Sequence, residues 1–242
     1  MHRLLALVLA ATLALVPTAQ AKQVARYVGA VQAQWLPDGR TMRLLAPFAY
    51  IDAEGTEWNA PVGSVIDGAS IPKYGWSLIG GPFEGKYRDA SVVHDVACEQ
   101  KARPWEAVHI MFYEAMLTSE VNEVLAKQMY GAVYWFGPRW PLQSTVPDRP
   151  VEEQAAIVKT ALANAPPGSQ VIVKSVKPRE RTFFDVLVGR PQRADFLLQI
   201  EPPPFQKLAS SDFDMLKAEI AARQKSSAGG MSLEEIRRYF GR

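Results

Sequence analysis

The sequence predicts an α+β protein: a small antiparallel β-meander packed against a bundle of about three helices, followed by a C-terminal region of α/β type. Three observations carry this expectation. Between residues 28 and 66 apolar and polar residues alternate, with turn signals at short intervals, which is the pattern of half-buried strands. Between residues 89 and 137 the apolar residues instead recur at helical spacing. After Leu142 prolines and polar residues enter, and both patterns return only in short pieces.

The first segment, "MHRLLALVLAATLALVPTAQA", has His2 and Arg3 at its start, an apolar run from Leu4 to Val16, and Ala19 and Ala21 in small-x-small order. That is the form of a secretory signal peptide cleaved near Ala21, so the mature chain is expected to be periplasmic or secreted. The run is shorter than the about 20 residues a spanning helix needs, and no second run of that kind follows, so no membrane span is expected in the mature chain. The chain then divides into residues 22–142, a meander plus helices; residues 143–150, "QSTVPDRP", a linker; and residues 151–242, either a small second domain or a wrapping tail.

Composition narrows the function classes. A 48% hydrophobic content places the chain among globular proteins rather than disordered ones. The formal charge of +2 comes from scattered residues, with "KPRER" at 177–181 the densest basic patch, which reads as a solvated loop. No nucleic-acid partner is expected, because phosphate-backbone binding needs a basic stripe. Cys98 is the single cysteine, so no internal disulfide can form even in an oxidising compartment. It reads most simply as a small buried apolar residue.

The elements follow in order. "VGAVQAQW" is a strand ended by the "LPDGR" turn; "TMRLLAPFAYI" is a second strand ended by "DAEGT"; "EWNAPVGSVI" follows. "VIDGASIP" then turns the chain, with Ser70 as a helix cap and Pro72 in the first turn of a short helix in "PKYGWSLIG". Asp89 or Ser91 caps a helix through "ASVVHDVACEQ", Pro104 opens one through "PWEAVHIMFYEAML", and "EVNEVLAKQMYGAVYWF" is a third that stops at Gly137 and Pro138. Residues 151–164 are helical, Val171 and Val173 lie on a strand, and "FFDVLV" and "DFLLQI" are apolar runs of undecided type. "SSDFDMLKAEIAARQK" is a helix with a serine cap, "SSAGG" is a hinge, and "SLEEIRRYF" is a last short helix.

The residues that can carry chemistry are Asp67, His94, Asp95 and His109. Successive helix residues point about 100° apart, so His94 and Asp95 cannot both face one site. With Val92, Val93, Val96 and Ala97 on the buried face, His94 falls on its flank beside Cys98 and Asp95 on the far side. An imidazole with one or two carboxylates can bind a divalent metal ion such as zinc, or work as a base with its orienting acid. The same residues can equally be structural, since a flank histidine is commonly satisfied by hydrogen bonds. The aromatic run "YWFGPRW" can line a binding groove or simply pack. Nucleophile elbow, phosphate loop, dinucleotide fingerprint, C-x-x-C and H-E-x-x-H motifs are all absent.

The ordered motifs "DGASIP", "VVHD", "FYEAM" and "MYGAVYWFGPRW" resemble the bacterial and phage family called domain of unknown function 1353, over about residues 30–142. The resemblance implies that Asp67, His94 and Asp95 occupy recurrent family positions. It also implies that His109 stands where the family usually has an aspartate three residues before the phenylalanine. The family carries no established reaction; its phage members imply a role in phage assembly or at the bacterial envelope, and the signal peptide favours the envelope. Two functions follow as expectations. One is an exported metal-dependent hydrolase acting on an envelope substrate such as peptidoglycan, with Asp67, His94 and His109 as ligands and Asp95 as base or orienting group. The other is a non-catalytic envelope or phage-derived module whose Asp/His cluster is structural and which engages an envelope polymer or protein partner.

Overall fold

The computed structural model describes residues 23–67, 85–166, 168–204, 208–225 and 230–241. The expected signal peptide, the part of "VIDGASIP" beyond Asp67, the short helix after it and most of the "SSAGG" hinge lie outside the described residues. Within them the α+β architecture holds: nine strands in three antiparallel three-stranded sheets, and helices packed on them.

The meander is more broken than its alternation suggests. The first expected strand is two, β1 (Arg26–Val28) and β2 (Ala33–Trp35). They part at Gly29, whose φ is +83° and whose Cβ, if present, would lie 3.0 Å from the Pro47 carbonyl oxygen, so only glycine fits there. The second expected strand parts before Pro47 into β3 (Met42–Leu44) and β4 (Phe48–Ile51), and the third into β5 (Glu57–Ala60) and β6 (Val65–Ile66). Because the breaks coincide, the halves sort into two sheets, β1-β4-β5 and β2-β3-β6. Tyr27 pairs with Tyr50, and Tyr50 with Trp58, across the first sheet. At its end Asp52 braces a turn, accepting the amides of Glu54 and Thr56 and the Trp58 indole N–H at 3.0 Å.

Three helices follow: α1 (Arg88–Gln100), α2 (Trp105–Thr118) and α3 (Glu123–Phe136). Helix α1 packs against α2 and against strands β4, β5 and β6. Every residue from Ala90 to Cys98 is therefore buried, including Asp95, which helical spacing alone had put on the far side. The meander is tied to α2 by the Tyr27 hydroxyl, which donates to the Ala115 carbonyl at 2.8 Å. The resulting core centres on Tyr50, Phe112, Met111, Met129 and Tyr130.

The expected linker is strand β7 (Leu142–Pro150). Its prolines are tolerated because β7 is an edge strand, with a register shift between Val146 and Arg149. After a turn of 3-10 helix and α4 (Gln154–Ala163), strands β8 (Gln170–Pro178) and β9 (Arg193–Glu201) complete a sheet of order β7-β9-β8, with the short α5 (Phe183–Leu187) at the hairpin tip. "FFDVLV" is thus mostly helix and "DFLLQI" strand. This sheet has its own small core of Ile157, Ala194, Phe196 and Leu198. Helices α6 (Ser210–Gln224) and α7 (Leu233–Arg238) return to the first core, burying Phe213, Leu216, Ile220 and Ile236. The cap of α6 is not the expected serine: the Asp212 carboxylate accepts the Ala209 amide at 2.7 Å.

Candidate functional site

His94 comes from the middle of α1 and His109 from the first turns of α2, and the helical hairpin brings their rings together. His94 Nε2 lies 2.9 Å from His109 Nδ1, and Cys98 Sγ, one turn along α1, lies 3.6 Å from the same His94 nitrogen. His109 Nε2 is 3.2 Å from the Pro138 carbonyl oxygen, which can only accept. That contact assigns the tautomers: His109 carries its proton on Nε2 and leaves Nδ1 as acceptor, so His94 donates from Nε2. His94 Nδ1 is then an acceptor, buried and without a hydrogen-bond partner among the described residues.

Apolar rings close the rest of the space. His94 stacks on Phe112 at 4.4 Å, and Trp105 and Trp140 stand edge-on to His109. Both imidazoles are 0% exposed. Burial pushes both pKa values down from the ordinary 6.5, His109 to about 3 and His94 well below that ordinary value, where the neighbouring His109 adds to the effect. Both rings are neutral at physiological pH.

The ligand atoms of His94, Cys98 and His109 lie within 4.8 Å of one another, a two-nitrogen, one-sulfur donor set that can hold a metal ion. Asp67 is not part of that group. Its carboxylate is 3.4 Å from the Arg40 guanidinium at the end of β6, with its side chain 38% exposed. Asp95 is buried on α1 but also outside the group. Of the four residues expected from sequence, the fold therefore brings His94 and His109 together. Cys98 joins them in place of the acids; its signal was the four-residue spacing from His94, which puts both on one stripe of the helix. The Pro138 carbonyl carries no sequence signal, being a backbone group.

The aromatic run is mainly packing. Tyr134, Trp135 and Trp140 are buried, and the two indoles donate to the Ile236 and Arg103 carbonyls. Beside them a cavity of about 550 Å³ opens between the helices and the C-terminal region, lined among others by Glu106, Tyr134, Arg139, Glu234 and Arg237. Burial raises the Glu106 carboxyl pKa, and the Tyr134 hydroxyl donates to it at 3.3 Å.

Helices α1 and α2, and nearly all of α3, fall within a stretch that matches a sequence-family model. Residues 42–133 match the family described as "Protein of unknown function (DUF1353)". The matched segment contains His94, Cys98 and His109, but not Pro138 or the C-terminal sheet. Among curated proteins, the uncharacterized protein y4jT of Sinorhizobium fredii (strain NBRC 101917 / NGR234) is 47% identical over 103 residues, 43% of this chain and 31% of the relative. The uncharacterized protein y4iH of the same strain is 40% identical over 106 residues, 43% of this chain and 44% of that relative. The matches thus span less than half of either relative's length. No solved structure matches.

Proposed function

We propose that this chain is an exported, non-catalytic envelope module in which His94, His109 and Cys98 are structural, pinning α1 and α2 to the turn at Pro138. One observation carries the reading: both imidazoles are completely buried and bonded to each other, with the outer nitrogen of His109 spent on a backbone carbonyl. A general base must reach its substrate and hold a pKa near the working pH, and burial works against both conditions here. The binding role falls instead to outward features such as the cavity beside Glu106 and Arg237, within the volume range of small-molecule sites. The leader-like residues 1–21 support export.

A second reading, a metal-dependent hydrolase, is favoured by the donor set of His94, Cys98 and His109. It calls for a divalent ion such as zinc on His94 and His109, with Cys98 where Asp67 was expected and Asp95 orienting an imidazole. The discriminating experiment is metal analysis and thermal melting of purified protein, wild type against His94→Ala and Cys98→Ser, together with a peptidoglycan-turnover assay. The structural reading expects no stoichiometric ion, no turnover and lowered melting temperatures in the variants. A stoichiometric ion lost in both variants, with turnover lost alongside it, would establish the hydrolase instead. Export is tested separately by sequencing the N-terminus of protein from the periplasmic fraction, which should begin at Lys22.

A further inference from the structure

Large apolar side chains are exposed side by side at the tip of the β8–β9 hairpin. Phe183, Phe184, Val186, Leu187 and Val188 stand in water together; Phe183 is 83% exposed, and Val188, the most covered of them, is still 49% exposed. A monomer rarely leaves so continuous a run of large apolar side chains uncovered without a use for it.

The tip is built rather than frayed. Thr182 and Asp185 form a reciprocal cap: the Asp185 amide donates to the Thr182 hydroxyl at 3.2 Å, and the Thr182 amide donates to the Asp185 carboxylate at 3.1 Å. Arg190 holds the other oxygen of Asp185 at 3.0 Å. Arg181 donates to the Arg190 carbonyl at 2.7 Å, closing the loop from the opposite side. The one acid in the apolar run is thereby folded back onto the loop, and the apolar side chains are presented without it.

Directly beneath lies a cleft of about 480 Å³ lined by Arg179, Arg181, Arg190 and Arg193. The acids facing them are Asp148, Glu180 and Asp185 in the cleft and Asp195 on β9. Arg179 and Arg193 share Asp148, and Arg179 also meets Asp195 at 2.9 Å. Residues 174–193 contain six Lys or Arg against two Asp or Glu; with Asp148 and Asp195 counted in, the excess is two positive charges, as large as the net charge of the whole chain. Apolar side chains projecting past a basic collar suit one occupant, a bilayer surface whose headgroups are anionic. Among the described residues no helix is long and apolar enough to cross a membrane.

We propose that this hairpin tip is a membrane-docking element: Phe183, Phe184 and Leu187 enter the interfacial layer of an anionic phospholipid bilayer while the arginines beneath engage lipid phosphates. The proposal goes beyond the envelope reading, and its test requires neither export nor any role for the histidines. Co-sedimentation of the full chain is measured with vesicles of phosphatidylglycerol and phosphatidylethanolamine and with vesicles of phosphatidylcholine alone. The expected result is about tenfold stronger partitioning onto the anionic vesicles, weakened by added salt. Phe183→Ser with Leu187→Ser, both highly exposed, should retain the wild-type melting curve and lose about tenfold in partitioning. Equal partitioning of wild type and variant, or no preference for anionic lipid, overturns the proposal. So does a wild-type dimer in sedimentation velocity that the variant converts to monomer while vesicle binding is absent, since the tip then serves a second copy of the chain.

Discussion

Acidification should destabilise this protein through its buried histidines before the carboxylates with lowered pKa values are titrated. The unfolded chain takes up a proton at each histidine near pH 6.5, whereas burial holds the folded pKa of His109 at about 3. A group whose folded pKa is depressed contributes no penalty above its unfolded pKa and loses stability as pH falls below it, because the unfolded state then binds the proton that the folded state refuses. The slope is about 1.4 kcal/mol per pH unit for each such group, so His109 alone costs about 2 kcal/mol on going from about pH 8 to about pH 5. His94 is shifted in the same direction and adds to this loss, coupled to its neighbour. The carboxylates whose pKa values are lowered, among them Asp148, Asp185, Asp195 and Glu235, lose their contribution only in more acid solution, so above about pH 5 the loss belongs to the histidines, offset in part by Glu106, whose raised pKa lets the folded state take up a proton first. Urea unfolding with chelator present, at intervals across that window, measures the slope, and His109→Gln should flatten it by about half. Stability unchanged between about pH 8 and pH 5, or rising in acid, would refute the assignment of neutral, buried rings.

Three other perturbations test the surrounding packing. His94→Ala removes the ring stacked on Phe112 and leaves His109 Nδ1 without its donor, which should cost about 2 to 4 kcal/mol in chemical denaturation; a loss under about 1 kcal/mol would mean the ring is not held as described. Gly137→Ala places a Cβ 2.3 Å from the Val133 carbonyl oxygen, a backbone atom that cannot swing away, and should cost about 2 kcal/mol or more, read as a drop in Tm. Ser232→Ala removes the hydroxyl that accepts the Glu235 amide at 3.2 Å and should cost about 1 kcal/mol, while Ser232→Gly should cost only a few tenths.

What the sequence revealed was decided by short-range physics, and what it hid was decided by contacts. The three helices were legible because their apolar residues repeat at helical spacing and because Pro104 and Gly137 mark ends. The splitting of each meander strand was not, since alternation survives through Gly29 and Ala46 while the chain changes sheet. Residues 143–150 looked like a linker because Pro147 and Pro150 are poor central-strand residues, yet an edge strand needs only one hydrogen-bonded side. Asp95 falls on the far side of α1 when that helix is read alone, but between Ala90 and Cys98 a helix covered by another helix on one side and by strands on the other has no open face. At the site, His94 and His109 could be named from sequence as residues able to meet across a hairpin. Asp67 could not be placed, because its pairing with Arg40 joins residues 27 apart through the register of β3 and β6.

The division between the DUF1353 segment and the rest of the chain has an energetic consequence. Helix α3 is buried nearly all round, and part of its cover comes from beyond the matched residues: Leu216 of α6 approaches so closely that a Cβ on Gly131 would lie 3.0 Å from its methyl carbon, with Ile236 of α7 beside it. Phe213, Leu216, Ile220, Met231 and Ile236 are all buried in that one core. At about 1.5 to 3 kcal/mol for each side chain, their burial is worth about 10 kcal/mol, as much as the whole stability of an ordinary domain. A fragment ending at Trp140 should therefore lack a cooperative thermal transition and bind hydrophobic dyes, and adding back residues 208–242 as a separate peptide should restore part of the transition. A fragment that melts cooperatively near the temperature of the full chain would show that α6 and α7 are dispensable appendages. If the fragment fails as expected, DUF1353 relatives must cover the same face of α3 with chain of their own, and the C-terminal helices belong to the fold rather than to its decoration.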